Sequence, residues 1–188
     1  MITAIDGFEE GHRRQMGMHL TVRCRARACR AMTTWEVRPV AKATMSVVIA
    51  RRADDVFRVL TDPTLAPRWA ANAIKGELLT DGPVGIGSRR RAVVKGVLGR
   101  TMESVMEVTE FERDRALGLR LISASWGGSG RTRYTLTTEG AATRVDWMWE
   151  MQPGGLLKPF DRPFMAMFQR LFQRDLENLR AMMESHAL

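Results

Sequence analysis

The chain is poor in several residues that mark particular chemistries, and each scarcity removes a class of function. Its two cysteines, Cys24 and Cys29, both fall in the first 30 of 188 residues. A disulfide framework is therefore excluded for everything downstream, which suits a reducing compartment. The three histidines are His12, His19 and His186, all near the ends. No imidazole is placed in the body of the chain, so Ser-His-Asp and Cys-His catalysis are excluded there. The set His19, Cys24 and Cys29 lacks paired CxxC spacing and a fourth ligand, and no HExxH or EF-hand spacing occurs later, so neither a metal nor a cofactor is expected. No apolar run approaches the roughly 20 residues of a membrane span, and the N-terminus has no continuous apolar segment of a secretory signal. The expected location is cytoplasmic.

Lysine is also scarce. Of 29 basic residues only Lys42, Lys75, Lys95 and Lys158 are not arginine, and the net charge is +8. Residues 1–44 hold eight basic against four acidic residues, a surplus of +4, and the other 144 residues supply the remaining +4. The excess is concentrated in the tail and not along one element, so no specific nucleic-acid partner is expected.

What is present is a regular text that begins at Met45. Residues 1–44 keep neither a helical nor a strand period. They read as a weakly ordered basic extension, the biological start being expected at Met45 with the upstream part added by an over-extended gene boundary, so that a chain beginning there should fold. Val47 to Ile49 then make a short strand and Ala53 to Leu60 a helix, with Asp54 and Asp55 in its first turn. Pro63 to Trp69 is expected to be irregular, because its two prolines remove donors and restrict their predecessors. About six strands follow. Asp81 to Gly87 reads as a hairpin connection, since it lacks the Lys-Ser/Thr of a phosphate loop. Thr143 to Met151 alternates most clearly, with Val145, Trp147, Trp149 and Met151 inward and Arg144, Asp146 and Glu150 outward.

The last segment, Asp161 to Ala187, places Met165, Phe168, Phe172, Leu176, Leu179 and Met183 at steps of three and four. That spacing predicts one long amphipathic helix, with Gln169, Arg174, Glu177 and Arg180 on its wet side. Strand, helix, a block of strands and a long helix give an α+β domain over 45–188, a curved antiparallel sheet around its C-terminal helix.

The segment VVIARRADDVFRVLTDPTLAPRW, Val47 to Trp69, resembles the opening of the START-like superfamily, in particular its polyketide cyclase/dehydrase-like (SRPBCC) branch. The Gly82 to Gly87 turn looks like that family's hairpin. The resemblance covers Met45 to the C-terminus. It implies a helix-grip fold with a cavity between the sheet and the final helix that takes a lipid-like, polyketide or other hydrophobic small molecule. Members include carriers, cyclases and hydrolases, so fold does not set activity.

Candidates to line such a cavity are Trp69, Met102, Ser104, Met106, Tyr134, Trp147, Trp149, Phe164, Phe168 and Phe172, with Ser123 as a further hydroxyl; otherwise the same residues are plain core. No catalytic residue is nominated. Glu103, Glu107, Asp146 and Glu150 fall on outward faces, and Arg89 or Arg91 is the arginine expected to reach inward. Three readings result: a binding or carrier protein for a hydrophobic small molecule, a polyketide cyclase or dehydratase, and a protein-interaction module on the open face of the sheet. A dry cavity favours the first, a polar group inside it the second, a filled cavity with an exposed apolar patch the third. Nothing in the pattern selects an oligomeric state.

Overall fold

The computed structural model describes residues 41–96, 99–152 and 161–185, and in the last helix the side chains from residue 166 onward. Seven antiparallel strands form one curled sheet in the order β1-β7-β6-β5-β4-β3-β2. They are β1 (Ala41–Ile49), β2 (Ala73–Leu78), β3 (Arg89–Lys95), β4 (Thr101–Glu112), β5 (Ala116–Ala124), β6 (Ser129–Glu139) and β7 (Ala142–Gln152). Helix α1 (Ala53–Thr61), a 3-10 turn (Pro63–Leu65) and α2 (Ala66–Trp69) link β1 to β2, and α3 (Asp161–Glu184) follows β7. This is the helix-grip α+β arrangement, a half-barrel closed by its last helix. No helix among the described residues is long and apolar enough to cross a membrane.

Alternation sets which side of the sheet is wet. Along β7, Val145, Trp147 and Met151 are buried on the concave side, where they join Tyr134 and Leu136 of β6 and Leu117 and Leu119 of β5. Helix α1 lays Val56, Phe57, Val59 and Leu60 on this core. The convex side is ionic. One row of register partners crosses six strands, Lys42, Glu150, Arg131, Arg120, Glu107 and Arg89. Glu150 bridges Lys42 at 3.6 Å and Arg131 at 2.5 Å, and Glu107 bridges Arg89 and Arg120. A second crossing, Arg133 to Glu110 at 2.7 Å, passes over Gly118, where a Cβ would lie 2.8 Å from the Glu110 Cβ.

Three expectations need correction. The first strand starts at Ala41, not Val47, and its pairing with β7 runs unbroken from Ala41–Met151 to Ile49–Thr143. Alanine and threonine carry the early alternation, too weakly apolar to register, yet Ala43 and Met45 are buried. Pro63 to Trp69 is helical, not irregular: each proline sits in the first turn of its segment, where the missing N–H costs nothing, and Asp62 accepts from the Thr64 N–H at 2.9 Å. Finally, Arg89 and Arg91 point outward into carboxylates, and the arginine on the concave side is Arg90. It shares that side with Ala92 and Val94, register partners of Ser104 and Met102.

Gly76 fixes how closely the 3-10 turn approaches β2. A Cβ there would stand 1.9 Å from the Pro63 carbonyl oxygen, so the turn rests on bare strand backbone.

Candidate functional site

Between β6, β7 and α3 lies a continuous aromatic wall. Tyr134 stacks on Trp147 at 5.1 Å between ring centroids, and Trp147 meets Phe172 at 4.7 Å. Trp149 contacts Phe172 at 5.1 Å and stacks on Phe168 at 5.6 Å with 8° between planes. Tyr134 and Trp147 are buried; Trp149, Phe168 and Phe172 are half-buried. Such near-contact pairs hold each ring in one orientation while leaving apolar faces available at the half-buried end. The Trp147 indole N–H donates to the Thr132 hydroxyl at 2.5 Å, and that hydroxyl donates to the Met148 carbonyl at 3.2 Å, so the polar edge of the wall is satisfied internally.

A polar end adjoins this wall. Arg90 donates through Nη1 to the Leu60 carbonyl at 3.2 Å, at the C-terminal turn of α1, where the helix dipole favours a cation. Among the described residues no carboxylate lies within ion-pairing distance of Arg90, whereas Arg91 takes both Glu77 and Glu103. Burial lowers the Arg90 pKa, with Tyr134 acting in the other direction. Burial raises the Tyr134 hydroxyl far above the ordinary phenol range; the Arg90 charge opposes this and Asp175 adds to it. Asp175 is 4% exposed on α3. Its Oδ1 accepts from the Ala71 N–H at 2.8 Å, but burial outweighs that bond and raises its pKa. Next to it, Asn178 donates to the Trp69 carbonyl at 3.1 Å, so α3 holds the end of α2 at two points. Trp69 is 8% exposed, and its indole Nε1 is buried without a hydrogen-bond acceptor among the described residues.

The other expected wall residues divide by place. Ser104 is buried on β4, with Met106 half-buried and packed on the core and Met102 half-buried on the same strand, its side chain running under Gly96. The side chain of Phe164 lies outside the described residues, and Ser123 is exposed. Trp69, Tyr134, Trp147 and the partly buried Met106, Trp149 and Phe172 thus share one core. Arg90 and Asp175 were not nominated from sequence. A signal existed for each: Arg90 has the parity of Ala92 and Val94, and Asp175 falls three residues after Phe172 and four before Leu179, on the buried stripe.

Among the described residues, two open depressions stand out. One of about 500 Å³ lies between α1, the β2–β3 connection and the β4–β5 turn, with Phe57, Val84 and Phe111 as its floor and Asp54, Arg58 and Asp114 among its rim. The other, of about 450 Å³, runs along the outer side near Arg133 and Thr135. Neither contains a member of the aromatic wall.

Among curated proteins none matches the chain in sequence. The fold is similar to that of the Panax ginseng major latex-like protein 151, with a TM-score of 0.61 and 14% identity over 76% of this chain and 96% of that one. It is similar too to a START superfamily protein from Mycobacterium smegmatis, with a TM-score of 0.60 and 17% identity over 77% and 94% of the two chains. A protein of Thermus thermophilus gives 0.63 at 16% identity over 76% and 95%. Identities this low carry the fold alone. In sequence, residues 40–184 match a family described as polyketide cyclase / dehydrase and lipid transport, and the chain belongs to that family.

Proposed function

We propose that this protein binds and carries a hydrophobic small molecule, lipid or polyketide-like, between the sheet and the first half of α3. The supporting observation is the row of half-buried rings, Trp149, Phe168 and Phe172, packed against one another between β7 and α3 with part of their surface exposed. Aromatic faces left partly open beside a closed core suit an apolar ligand, since each covered Å² contributes roughly 25 cal/mol. The family contains both transport and cyclase or dehydrase members, which agrees with a carrier without requiring one. The cytoplasmic address expected from the sequence belongs to this reading.

One observation favours a second reading, an enzyme of polyketide cyclisation or dehydration: the interior is not dry. Arg90, Tyr134 and the buried Asp175 are groups that could orient an enolate or move a proton, Asp175 being the carboxyl whose pKa burial raises. The interaction-module reading gains nothing from the convex face, which is laced by ion pairs.

The carrier reading is tested with N-phenyl-1-naphthylamine, a neutral apolar fluorophore. Saturable fluorescence enhancement that weakens in Phe168→Ala and Trp149→Ala supports it. Enhancement that neither variant alters places the apolar site elsewhere. Native mass spectrometry of freshly purified protein then identifies the molecule that co-purifies.

A further inference from the structure

Burying a guanidinium without a counter-ion is costly, and the chain spends arginine freely on its outer face while pairing it there with carboxylates. Arg90 breaks that pattern. It points to the concave side, is half-buried, is held by one neutral carbonyl, and has no carboxylate within ion-pairing distance among the described residues. Independently, the Trp69 indole N–H is buried with no acceptor among the described residues. Unmet buried donors of this kind are uncommon in native proteins and call for an explanation. Trp69 belongs to the same buried core as Tyr134, and the Arg90 charge acts on the Tyr134 hydroxyl, which begins the aromatic wall. All three can donate, and the Tyr134 hydroxyl already has the Thr132 side chain beside it; what Arg90 and the Trp69 N–H lack is an oxygen acceptor, which for Arg90 would carry negative charge.

We infer that Arg90, the Trp69 N–H and the Tyr134 hydroxyl receive the acidic end of the bound apolar molecule, a carboxylate or enolate oxygen, so that the ligand class is an apolar acid and not a neutral hydrocarbon or alcohol. This rests on the proposed pocket and adds its polarity. Arg90 supplies charge and two or more parallel N–H donors, the geometry a carboxylate matches. Trp69 supplies a buried donor from α2, whose end Asn178 holds through the Trp69 carbonyl. Asp175 is the group that opposes an anion there. Its Oδ1 is committed to the Ala71 N–H, and burial makes it easier to protonate than an exposed carboxyl, which reduces the opposition.

The experiment uses the full chain, N-phenyl-1-naphthylamine as reporter, and two matched probe pairs: dodecanoic acid with 1-dodecanol, and 2-naphthoic acid with 2-naphthylmethanol. In the wild type the acid of at least one pair should displace the reporter about tenfold more tightly than its alcohol, the size of a charge-assisted contact. Arg90→Met should bring the acid-to-alcohol ratio to about one. Trp69→Phe, which keeps an aromatic ring but lacks the donor, should reduce it, and Arg90→Lys should keep part of it. Because the acid-to-alcohol ratio is read within each protein, a variant that folds poorly does not decide the outcome, and the wild-type ratio stands alone. Equal displacement by acid and alcohol in the wild type, or a preference that survives both Arg90→Met and Trp69→Phe, overturns the inference while the pocket stands. A reporter that does not bind at all removes the pocket and the inference together.

Discussion

The two halves of α3 meet the sheet in different ways. From Leu176 onward the helix is closed: Leu176, Leu179 and Met183 are each 0% exposed, and Glu184 accepts from the Ala50 N–H at 3.0 Å. Before Leu176 the facing residues are rings, and Phe168, Phe172 and Trp149 keep part of their surface open. One half is closed against the sheet and the other keeps ring surface exposed, and the proposed carrier role rests on that difference. In a close-packed interior a flat, stiff ring leaves more unfilled edge than a branched aliphatic chain, so the change of residue type along one helix is itself a change of task.

Four measurements break or sharpen that contrast. The largest effect is expected at the closed end, where Leu179→Ala should destabilise by about 3 kcal/mol through lost burial and an unfilled cavity. Phe168→Ala, a larger deletion, should cost only about 1 to 2 kcal/mol without ligand, because the ring is only half-buried. Chemical denaturation of both variants checks the order; a Phe168 loss equal to or above that of Leu179 would mean that the two halves are packed alike. Next in size is a chain beginning at Met45. It removes the four residues of β1 from Ala41, with the Lys42–Glu150 pair, from the strand on which the closed half of α3 lies, and should lower the melting midpoint by about 5 °C. An unchanged midpoint would show that the early β1 residues contribute nothing to the closed half.

Asp175 stands at the junction of the halves. Its folded pKa is raised above the ordinary 3.8, so the folded state holds the proton more tightly than the unfolded chain, and stability declines as pH rises from about that value through the folded one. Asp175→Asn keeps an acceptor for Ala71 and removes the charge. The variant should melt a few degrees above wild type at pH 7, with the advantage shrinking toward pH 4; an advantage constant across that range would exclude the carboxyl as its source. The smallest effect belongs to the outer face. Arg133 holds the Glu110 carboxyl below its usual range, a contribution present above about pH 4.5 and lost as pH falls through the lower folded value. In this partly exposed pair Glu110→Gln should cost less than about 1 kcal/mol and leave probe binding unchanged.

The contrast along α3 was partly legible before any coordinates. Steps of three and four marked the helix and its stripe, and strict alternation in β7 separated Trp147 and Trp149 from Arg144 and Asp146. Those signals are strong because large apolar residues must all go to one side. The polar end was not legible. In Arg89-Arg90-Arg91 three identical residues erase the period, and only Ala92 and Val94 beyond them tell which one turns inward. Asp175 was passed over because a carboxylate on a helix is usually at its wet side, a preference that the Ala71 N–H overrides here. The early part of β1 escaped for the opposite reason: its buried side starts with alanine, too small to announce burial. The proline-rich link between α1 and β2 was misjudged because each proline happens to occupy the one place in a helix where it does no harm.

The contact of Gly76 with Pro63 bears on how such a protein can diversify. There the 3-10 turn between α1 and α2 meets the strand through the Pro63 carbonyl, so no side chain can be introduced at Gly76 without moving the turn. A lineage that changes the size of its interior has no neutral step available at Gly76. Under the proposed carrier role, variation in ligand size would instead fall on the rings of β7 and the first half of α3, where one substitution changes volume without moving that turn.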